Sequence, residues 1–216
     1  MITVYGEGRG LRVVWLLEEM GLPYRLHQID LLADISHETE FLEINPAGFI
    51  PAIEDGETRM VESVAIMEVL LARHGTSPLA PVPGAAEFTL YQQFLHMGEA
   101  GLMAASYFLS NALRLADPAQ RDNPTARHCR AQFFSRLGLV TRQLALTEWI
   151  AGESFTAADV SVAYALDHGR RASSLDLGPV AGDYVARATA RPAYRRALDS
   201  CTATRDWHAA ADAESA

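Results

Sequence analysis

The proline-rich segment "GTSPLAPVPGA", residues 75–85, divides the chain into two parts with different patterns. It holds three prolines and two glycines in eleven residues, a composition that interrupts both helices and strands. Short β-like runs alternate with helices before it, whereas almost continuous helical patterns follow it. We therefore predict a mixed domain over 1–76, a linker over 77–85 and an all-helical domain over 86–216.

The first part of the chain carries the pattern of a small mixed sheet. "ITVYG" predicts a strand that ends at Gly6, "LRVVWLLEEM" a helix, and "YRLHQIDL" a second strand. The Asp55-Gly56 pair between "FIPAIE" and "TRMVE" is a strong hairpin signal, and a helix "SVAIMEVLLARHG" follows it. This order predicts a compact mixed sheet with helices on its faces.

The second part carries the pattern of a helical bundle. Apolar residues recur at spacings of three and four from Phe88 to Leu109, which predicts one long helix. A second long helix is predicted from Ala126 to Leu146. In "GESFTAADVSVAYAL", Thr156 and Asp159 have the spacing of a capping box, for which a structural role is the favoured interpretation. The predicted fold class is thus α/β plus all-α.

Charge and cysteine content restrict the functional classes. The formal net charge of -9 argues against a general nucleic-acid-binding protein. Only two cysteines occur, so no disulfide framework is expected, and a reducing cytosol is the favoured compartment. Neither a signal-peptide pattern nor an apolar run of membrane-spanning length is found. We expect a cytoplasmic protein without a membrane partner.

The stretch "GFIPAIEDGETRMVESVAI", residues 48–66, is the most informative about binding. Pro51 lies in an apolar run that otherwise resembles a strand, although proline removes a donor from a β-ladder. Ser63 follows Glu62 at a predicted helix start, where backbone N–H groups and the positive end of the helix dipole favour a carboxylate. Glu62 could bind an ammonium group of the same ligand. The alternative for Ser63 is an ordinary helix cap.

Four segments together resemble the cytosolic glutathione S-transferases over almost the whole chain. They are "RVVWLLEEMGLPY", "EFLEINPAGFIPAIEDG", "VESVAIMEVL" and "AGESFTAADVSVAYAL", in this order. The resemblance implies a thioredoxin-like domain followed by an all-helical bundle domain. It also implies glutathione as co-substrate, a small hydrophobic electrophile as second substrate, a role in detoxification and a homodimer, with no metal cofactor.

The same resemblance implies which residues contact glutathione. Pro51 would be cis, and the backbone of Ile50 would pair with the cysteinyl backbone of the tripeptide as an added strand does. Glu62 and Ser63 match the pair that binds the γ-glutamyl group. His37 lies near the position that contacts the glycine carboxylate in many members. A trans proline on an edge strand and a solvated histidine are the alternatives.

The resemblance breaks at the thiolate-stabilising residue. If Arg12 is aligned with the usual basic position of the first helix, the family's Ser or Cys position falls on Gly8. Three groups could stabilise the thiolate instead. The first is the Tyr5 hydroxyl, although Tyr5 could also be a core residue, and the second is Arg9, which could lower the pKa of the thiol or simply pair at the surface. The third is the set of backbone N–H groups of Gly8, Arg9 and Gly10. We favour the N–H groups assisted by Arg9.

The helical domain supplies candidates for contact with the second substrate, which in this family binds between the two domains. Met103, Tyr107 and Phe108 fall late in the first long helix, where core packing is the alternative. Two other functions stay open: a glutathione-dependent disulfide reductase, lyase or isomerase, and a non-catalytic glutathione-binding protein. The two cysteines are not favoured as nucleophiles, since both lie far along the helical region.

Overall fold

A computed structural model describes residues 1–30, 33, 35–75 and 77–214 of the chain. It contains two compact units. The first comprises Met1–Ser77 together with Arg191–Ala209, and the second comprises Pro78–Ala190 together with the residues from Ala210 onward. Within the described residues, no helix combines the length and the apolar character that crossing a membrane requires.

A four-stranded sheet forms the centre of the first unit. Its strands are β1 (Ile2–Tyr5), β2 (Tyr24–His27), β3 (Ala52–Asp55) and β4 (Thr58–Val61), in the spatial order β2-β1-β3-β4. β1 pairs with β2 in parallel and with β3 in antiparallel fashion, and β3 and β4 form the hairpin that Asp55-Gly56 predicts. The mixed sheet predicted from the sequence is confirmed.

Two strands are shorter than their sequence patterns. β3 begins at Ala52 and not within "FIP", because Pro51 has no N–H group to donate to a ladder. β2 ends at His27, although apolar residues continue beyond it. Its neighbour β1 ends at Tyr5, and the His27 carbonyl accepts the last bond of this pair, from Gly6 N–H at 2.8 Å.

Among the described residues of the first unit, four helices and part of a fifth accompany this sheet. They are α1 (Gly10–Met20), α2 (Thr39–Ile44), α3 (Ser63–Arg73), α9 (Pro192–Ser200) and the first part of α10 (Thr202–Glu214). α1 is apolar around most of its circumference because it packs against both the sheet and α9: Trp15 meets Tyr194 edge-on at 4.8 Å between ring centroids. α1 ends at Gly21 in the left-handed conformation, as its sequence predicts.

The position of α9 differs from the domain boundaries predicted above. Residues 191–209 group with the mixed domain and not with the helical bundle. Two ion pairs join α9 to the end of α1: Arg191 Nε lies 2.6 Å from Glu19 Oε1, and Arg196 Nε lies 2.6 Å from Glu18 Oε2. Contacts between residues more than 170 positions apart leave no trace in local composition, so a boundary drawn from composition places this segment with its neighbours in sequence.

The second unit is helical, as predicted. It contains α4 (Phe88–Met97), α5 (Ala104–Leu115), α6 (Pro124–Leu144), α7 (Ala157–Ser173) and α8 (Gly178–Thr189). The predicted long helix from Phe88 to Leu109 is interrupted by a π-helical turn, Gly98–Met103. At this turn α7 approaches closely: Ser161 Oγ donates to the Leu95 carbonyl at 2.8 Å, and a Cβ atom at Gly98 would overlap Ser161.

The capping box predicted at "TAAD" is present at the start of α7. One oxygen of the buried Asp159 carboxylate accepts from Thr156 N–H at 2.8 Å. The other accepts from Ile150 N–H at 2.8 Å and from the Tyr184 hydroxyl at 2.9 Å. Burial raises the pKa of Asp159 to about 6, although these hydrogen bonds oppose that shift.

Candidate functional site

Sheet register brings three predicted site segments to one edge of the first unit. Tyr5 pairs with Ala52, and Ala52 also pairs with Val61. Because both ladders are antiparallel, the chain leaving β1, the chain entering β3 and the chain leaving β4 all meet at the same end of the sheet. The glycine loop (residues 6–10), Ile50-Pro51 and Glu62-Ser63 are therefore neighbours, although up to 57 positions separate them in sequence.

The glycine loop, residues 6–10, packs directly against Ile50-Pro51. Gly6 has φ +85°, and a Cβ atom there would overlap Ile50 Cγ2, so only glycine fits. A Cβ atom at Gly8 would lie 3.8 Å from Ile50 Cδ1, and one at Gly10 would lie 3.4 Å from Pro51 Cβ. Close approach to the proline segment thus requires glycine at position 6, whereas side chains at positions 8 and 10 would make ordinary contacts and Gly8 is favoured by its φ of +61°.

Two of the backbone donors predicted to stabilise a thiolate are already engaged. Gly8 N–H donates to Thr204 Oγ1 at 3.2 Å, and Gly10 N–H donates to the Glu7 carbonyl at 3.0 Å. The Gly10 bond closes the turn that leads into α1, which residue spacing alone did not reveal. These bonds weaken the interpretation that Gly8 and Gly10 act as thiolate donors, because a ligand would have to replace an existing acceptor.

Arg9 lies at the N-terminal boundary of α1. It is the N-cap residue, with φ -61° and ψ -19°, and its side chain is half-buried. A guanidinium group at this position adds a full positive charge to the positive end of the α1 dipole. The loop can therefore stabilise an anion by charge even though Gly8 and Gly10 N–H are engaged.

The Ile50-Pro51 peptide bond is cis, which confirms the expectation from the resemblance. Within the described part of the chain, the N–H and C=O groups of Ile50 take part in no hydrogen bond. Pro51 is buried and Ile50 is half-buried. Unpaired main-chain groups next to the first residue of a strand can bind an extended peptide as an additional strand does.

The corner between β4 and α3 has unusual backbone geometry. Glu62 adopts φ +73°, which is rare for a residue with a side chain and costs on the order of 1–3 kcal/mol. Its carbonyl accepts the first helical bond, from Ile66 N–H at 2.8 Å, while its exposed side chain makes no capping bond. The Glu62 carboxylate therefore lies at the surface, beside the positive end of the α3 dipole.

Arg12 supports this corner from inside the protein. Its fully buried guanidinium donates from Nη1 to Ser63 Oγ at 3.0 Å. Since Ser63 Oγ accepts this bond, its own hydrogen remains to donate to another group, and the nearby positive charge favours an anionic acceptor. A ligand carboxylate at the start of α3 suits this arrangement.

Arg12 has a larger role at this site than the sequence indicates. In the predicted α1 it served only as an alignment point. One signal was present in the sequence: a single arginine within the otherwise apolar run "LRVVWLL". Arginine is almost never fully buried without a specific partner, so an arginine in a buried helix indicates a specific interaction.

His37 lies in a short 3-10 turn, Ile35–His37, and its side chain is exposed. This turn packs near the segment that leads to Ile50, since a Cβ atom at Gly48 would lie 3.5 Å from Ile35 Cδ1. The turn that carries His37 is thus close to Gly48, and contact between His37 and a ligand stays a prediction.

Tyr5 lies in the core of the first unit. It is fully buried in a cluster with Ile29, Phe41, Ile44 and Ala52. Its hydroxyl donates to Glu40 Oε1 at 2.9 Å. Burial and this carboxylate together raise the pKa of Tyr5 to about 12, whereas a tyrosine that stabilises a thiolate needs an accessible hydroxyl. These contacts support the core interpretation of Tyr5.

The second-substrate candidates on the second unit divide into two groups. Met103 is buried, with 2% of its surface exposed, which supports a packing role. Tyr107 and Phe108 expose 38% and 58% of their surfaces and meet edge-on, 5.7 Å between ring centroids. Of the three candidates, Tyr107 and Phe108 are therefore the ones that a ligand can reach.

Neither cysteine has the environment of a reactive thiol. Cys129 and Cys201 are both buried and unbridged. Burial, together with the negative charge of Glu7, raises the pKa of Cys201 to about 12, which disfavours the thiolate. The described residues contain no cluster of His, Cys, Asp and Glu side chains with the arrangement of a metal site.

Comparisons with known proteins agree with this architecture. Residues 10–73 match the family profile described as "Glutathione S-transferase, N-terminal domain". Glutathione S-transferase 3 of Schizosaccharomyces pombe is 29% identical over 166 residues, which cover 72% of this chain and 68% of the yeast protein.

Two solved structures extend the similarity to both units. A glutathione S-transferase from Actinobacillus pleuropneumoniae is 26% identical, with a TM-score of 0.77 over 93% of each chain. A glutathione transferase family member from Pseudomonas fluorescens, solved with two glutathione molecules bound, is 26% identical, with a TM-score of 0.80 over 91% of each chain. Residues 10–73 thus match the glutathione S-transferase N-terminal domain, and more than nine tenths of the chain is similar to solved glutathione S-transferases.

Proposed function

We propose that this protein is a glutathione transferase. It binds glutathione at the end of the sheet described above and activates the glutathione thiol for attack on a small hydrophobic electrophile. The observation that carries this proposal is the convergence of unpaired Ile50 main-chain groups, the Arg12-supported Ser63 hydroxyl and the start of α3 at one place. The bound glutathione in the related Pseudomonas fluorescens structure supports the ligand assignment.

Each end of glutathione has a complementary group in this arrangement. The γ-glutamyl carboxylate accepts from Ser63 at the start of α3, and the exposed Glu62 carboxylate pairs with the ligand ammonium group. The cysteinyl backbone pairs with Ile50 beside Pro51. His37 is the proposed contact for the glycine carboxylate.

The thiol then lies beside the glycine loop. The positive charge of Arg9, at the positive end of the α1 dipole, lowers the thiol pKa, so that the proton passes to solvent and the thiolate forms. The thiolate sulfur bonds to the electrophilic carbon, and the leaving group departs with its electron pair. Tyr107 and Phe108 are the proposed contacts for the apolar part of the electrophile.

An ultraviolet titration of enzyme-bound glutathione tests this mechanism. We expect the thiolate absorbance to titrate at least one pH unit below that of free glutathione. Arg9→Ala should lower kcat about tenfold and raise the thiol pKa, with a glutathione Kd within about twofold of wild type, because Arg9 interacts more strongly with the thiolate than with the thiol. Arg9→Lys, which keeps the charge, should retain most of the turnover. A bound thiol pKa equal to that of free glutathione would overturn the proposal.

One observation favours an alternative function. Because Gly8 and Gly10 N–H are engaged, the loop has fewer donors for a thiolate than its sequence suggests. A glutathione-dependent disulfide reductase, lyase or isomerase, or a protein that binds glutathione without activating it, demands less from this loop. Assays with aryl halides and with mixed glutathione disulfides separate these functions: turnover of disulfides alone supports the reductase, and glutathione binding without any turnover supports the binding protein.

The proposed biological setting is a cytoplasmic homodimer that acts in detoxification, as the family relationship suggests. Light scattering coupled to size-exclusion chromatography tests the dimer. A mass equal to one chain at micromolar concentration contradicts it.

A further inference from the structure

The glycine loop is hydrogen-bonded to a residue of α10, which lies near the other end of the sequence. Thr204, the third residue of α10, accepts from Gly8 N–H through Oγ1 at 3.2 Å. In return, Thr204 N–H donates to Glu7 Oε2 at 2.7 Å. Two hydrogen bonds thus connect adjacent loop residues to one residue of α10, across a sequence separation of 196 or more positions.

Glu7 is also held by a second partner. Its other carboxylate oxygen, Oε1, accepts from Gln28 Nε2 at 2.8 Å. Glu7 and Thr204 expose only 6% and 7% of their surfaces, so water competes weakly for these bonds. The Glu7 carboxylate also lies at the N-terminal turn of α10, where the helix dipole favours a negative charge.

These bonds control the part of the loop that precedes Arg9. Gly8 has φ +61°, and the direction in which the Arg9 side chain leaves the backbone depends on that conformation. Gly8 has no side chain with which to fix itself, so an external acceptor for its N–H group can hold it in place. Thr204 supplies that acceptor.

We propose that Thr204 is a positioning residue for the thiol site: its hydroxyl holds Gly8, and thereby aims Arg9 and the first turn of α1 at the sulfur of glutathione. This inference rests on the proposed function for its catalytic consequence. The hydrogen bond itself is a property of the free protein, and it can be tested without a substrate.

Thr204→Val is the decisive variant, because valine keeps the shape of threonine and removes the acceptor. Thr204→Ser retains the hydroxyl. Thr202→Val is the matched control: it removes another threonine hydroxyl of the same helix, which accepts from Gln28 Nε2 at 2.8 Å and is therefore connected to the glycine loop only indirectly, through Gln28 and Glu7. Amide hydrogen exchange of a peptide that covers residues 6–11 reports the Gly8 bond directly.

We expect Thr204→Val to accelerate exchange in this peptide at least fivefold, to lower kcat about tenfold and to raise the pKa of bound glutathione, with a glutathione KM within about twofold of wild type. Thr204→Ser and Thr202→Val should resemble wild type in all four measurements. If Thr204→Val does not fold, Thr204→Ala, judged against Thr204→Ser, decides the same question.

The outcomes separate this inference from the proposed function. Unchanged exchange in a folded Thr204→Val protein overturns the role of Thr204, whatever its activity. Faster exchange with an unchanged kcat and thiol pKa shows that the bond is structural only, which also overturns the positioning role. A wild-type enzyme that leaves the glutathione thiol un-ionised overturns the proposed function, while the exchange measurement still decides whether Thr204 holds the loop.

Discussion

The N-termini of α3 and α7 are the same structural element used in opposite ways. At α7 the Asp159 carboxylate accepts from Thr156, Ile150 and Tyr184, and the whole arrangement is buried. At α3 the N-cap residue Glu62 makes no capping bond, has positive φ and faces solvent. The first terminus satisfies itself, whereas the second leaves its donors and its dipole for a ligand.

This difference has a physical cause. A helix start that is closed by its own side chains contributes to folding stability but cannot bind an anion. A helix start that is open contributes less to stability and retains binding capacity. Variants at each terminus should therefore change different quantities: stability at α7 and glutathione affinity at α3.

The largest effect is expected from Asp159→Ala. It leaves Thr156 N–H, Ile150 N–H and the Tyr184 hydroxyl without their acceptor in a buried environment, and each such group costs about 1–3 kcal/mol. We expect the free energy of unfolding to fall by roughly 3–5 kcal/mol in urea denaturation. Asp159→Asn, which keeps one acceptor oxygen, should lose less. A loss below about 1 kcal/mol for alanine would contradict the closed-terminus description.

Asp159 should also give the protein a specific pH dependence. Its pKa is about 6 in the folded protein and 3.8 as the ordinary value, so the folded state binds this proton more tightly than the unfolded state does. The contribution of this carboxyl group to the free energy of unfolding is present below about pH 4 and is lost as the pH rises to about 6. The free energy of unfolding changes by roughly 3 kcal/mol over this range.

The measurement is the difference in unfolding free energy between wild type and Asp159→Asn at pH 4 and at pH 7. That difference should decrease with rising pH, since only the wild type carries the titrating group. A difference that is constant over this range contradicts the raised pKa.

Ser63→Ala should act mainly on affinity, although it also removes the acceptor of the buried Arg12 Nη1 and should lower stability by about 1–3 kcal/mol. It removes a hydroxyl donor to a carboxylate, a type of bond worth about 1.5–3 kcal/mol, so the glutathione Kd should rise at least tenfold in calorimetric titration. Thr156→Ala is the matched change at the closed terminus, and it should lower stability by about 1 kcal/mol with an unchanged Kd. Equal affinities for Ser63→Ala and wild type would remove Ser63 from the binding site.

Glu62→Gly should give the smallest effect on stability. Glycine adopts φ +73° without steric cost but adds freedom to the unfolded chain, so the free energy of unfolding should rise by at most about 1 kcal/mol. Glutathione should bind more weakly, because the carboxylate is lost. Glu62→Gln separates the two effects: it keeps the side chain, so stability stays near wild type, and it removes the charge, so affinity falls. Unchanged affinity in both variants contradicts the ammonium contact.

Local signals predicted much of this architecture. The Asp55-Gly56 hairpin and the Thr156–Asp159 capping box depend on neighbouring residues, and both are present as predicted. The cis bond before Pro51 was expected from the family resemblance, and it is also present. These features could be read because the atoms that form them belong to one short segment.

Long-range contacts explain what was missed. The role of Gly8 depends on Thr204, and that of Ser63 on Arg12, pairs separated by 196 and 51 positions. The interruption of the long helix at Gly98 depends on Ser161, and the grouping of α9 with the mixed domain depends on ion pairs with α1. No periodicity within a segment reports such contacts.

The sequence by itself determined the two-part organisation, the order of helices and strands, and the helix start at Glu62-Ser63, because these follow from local propensity and spacing. Tertiary structure decided which of these groups are available for chemistry. It engaged Gly8 and Gly10 N–H, buried Tyr5 against Glu40 and placed Arg12 behind Ser63. A donor can act on a ligand only if no other part of the chain already holds it, and that depends on segments that meet only in the folded protein.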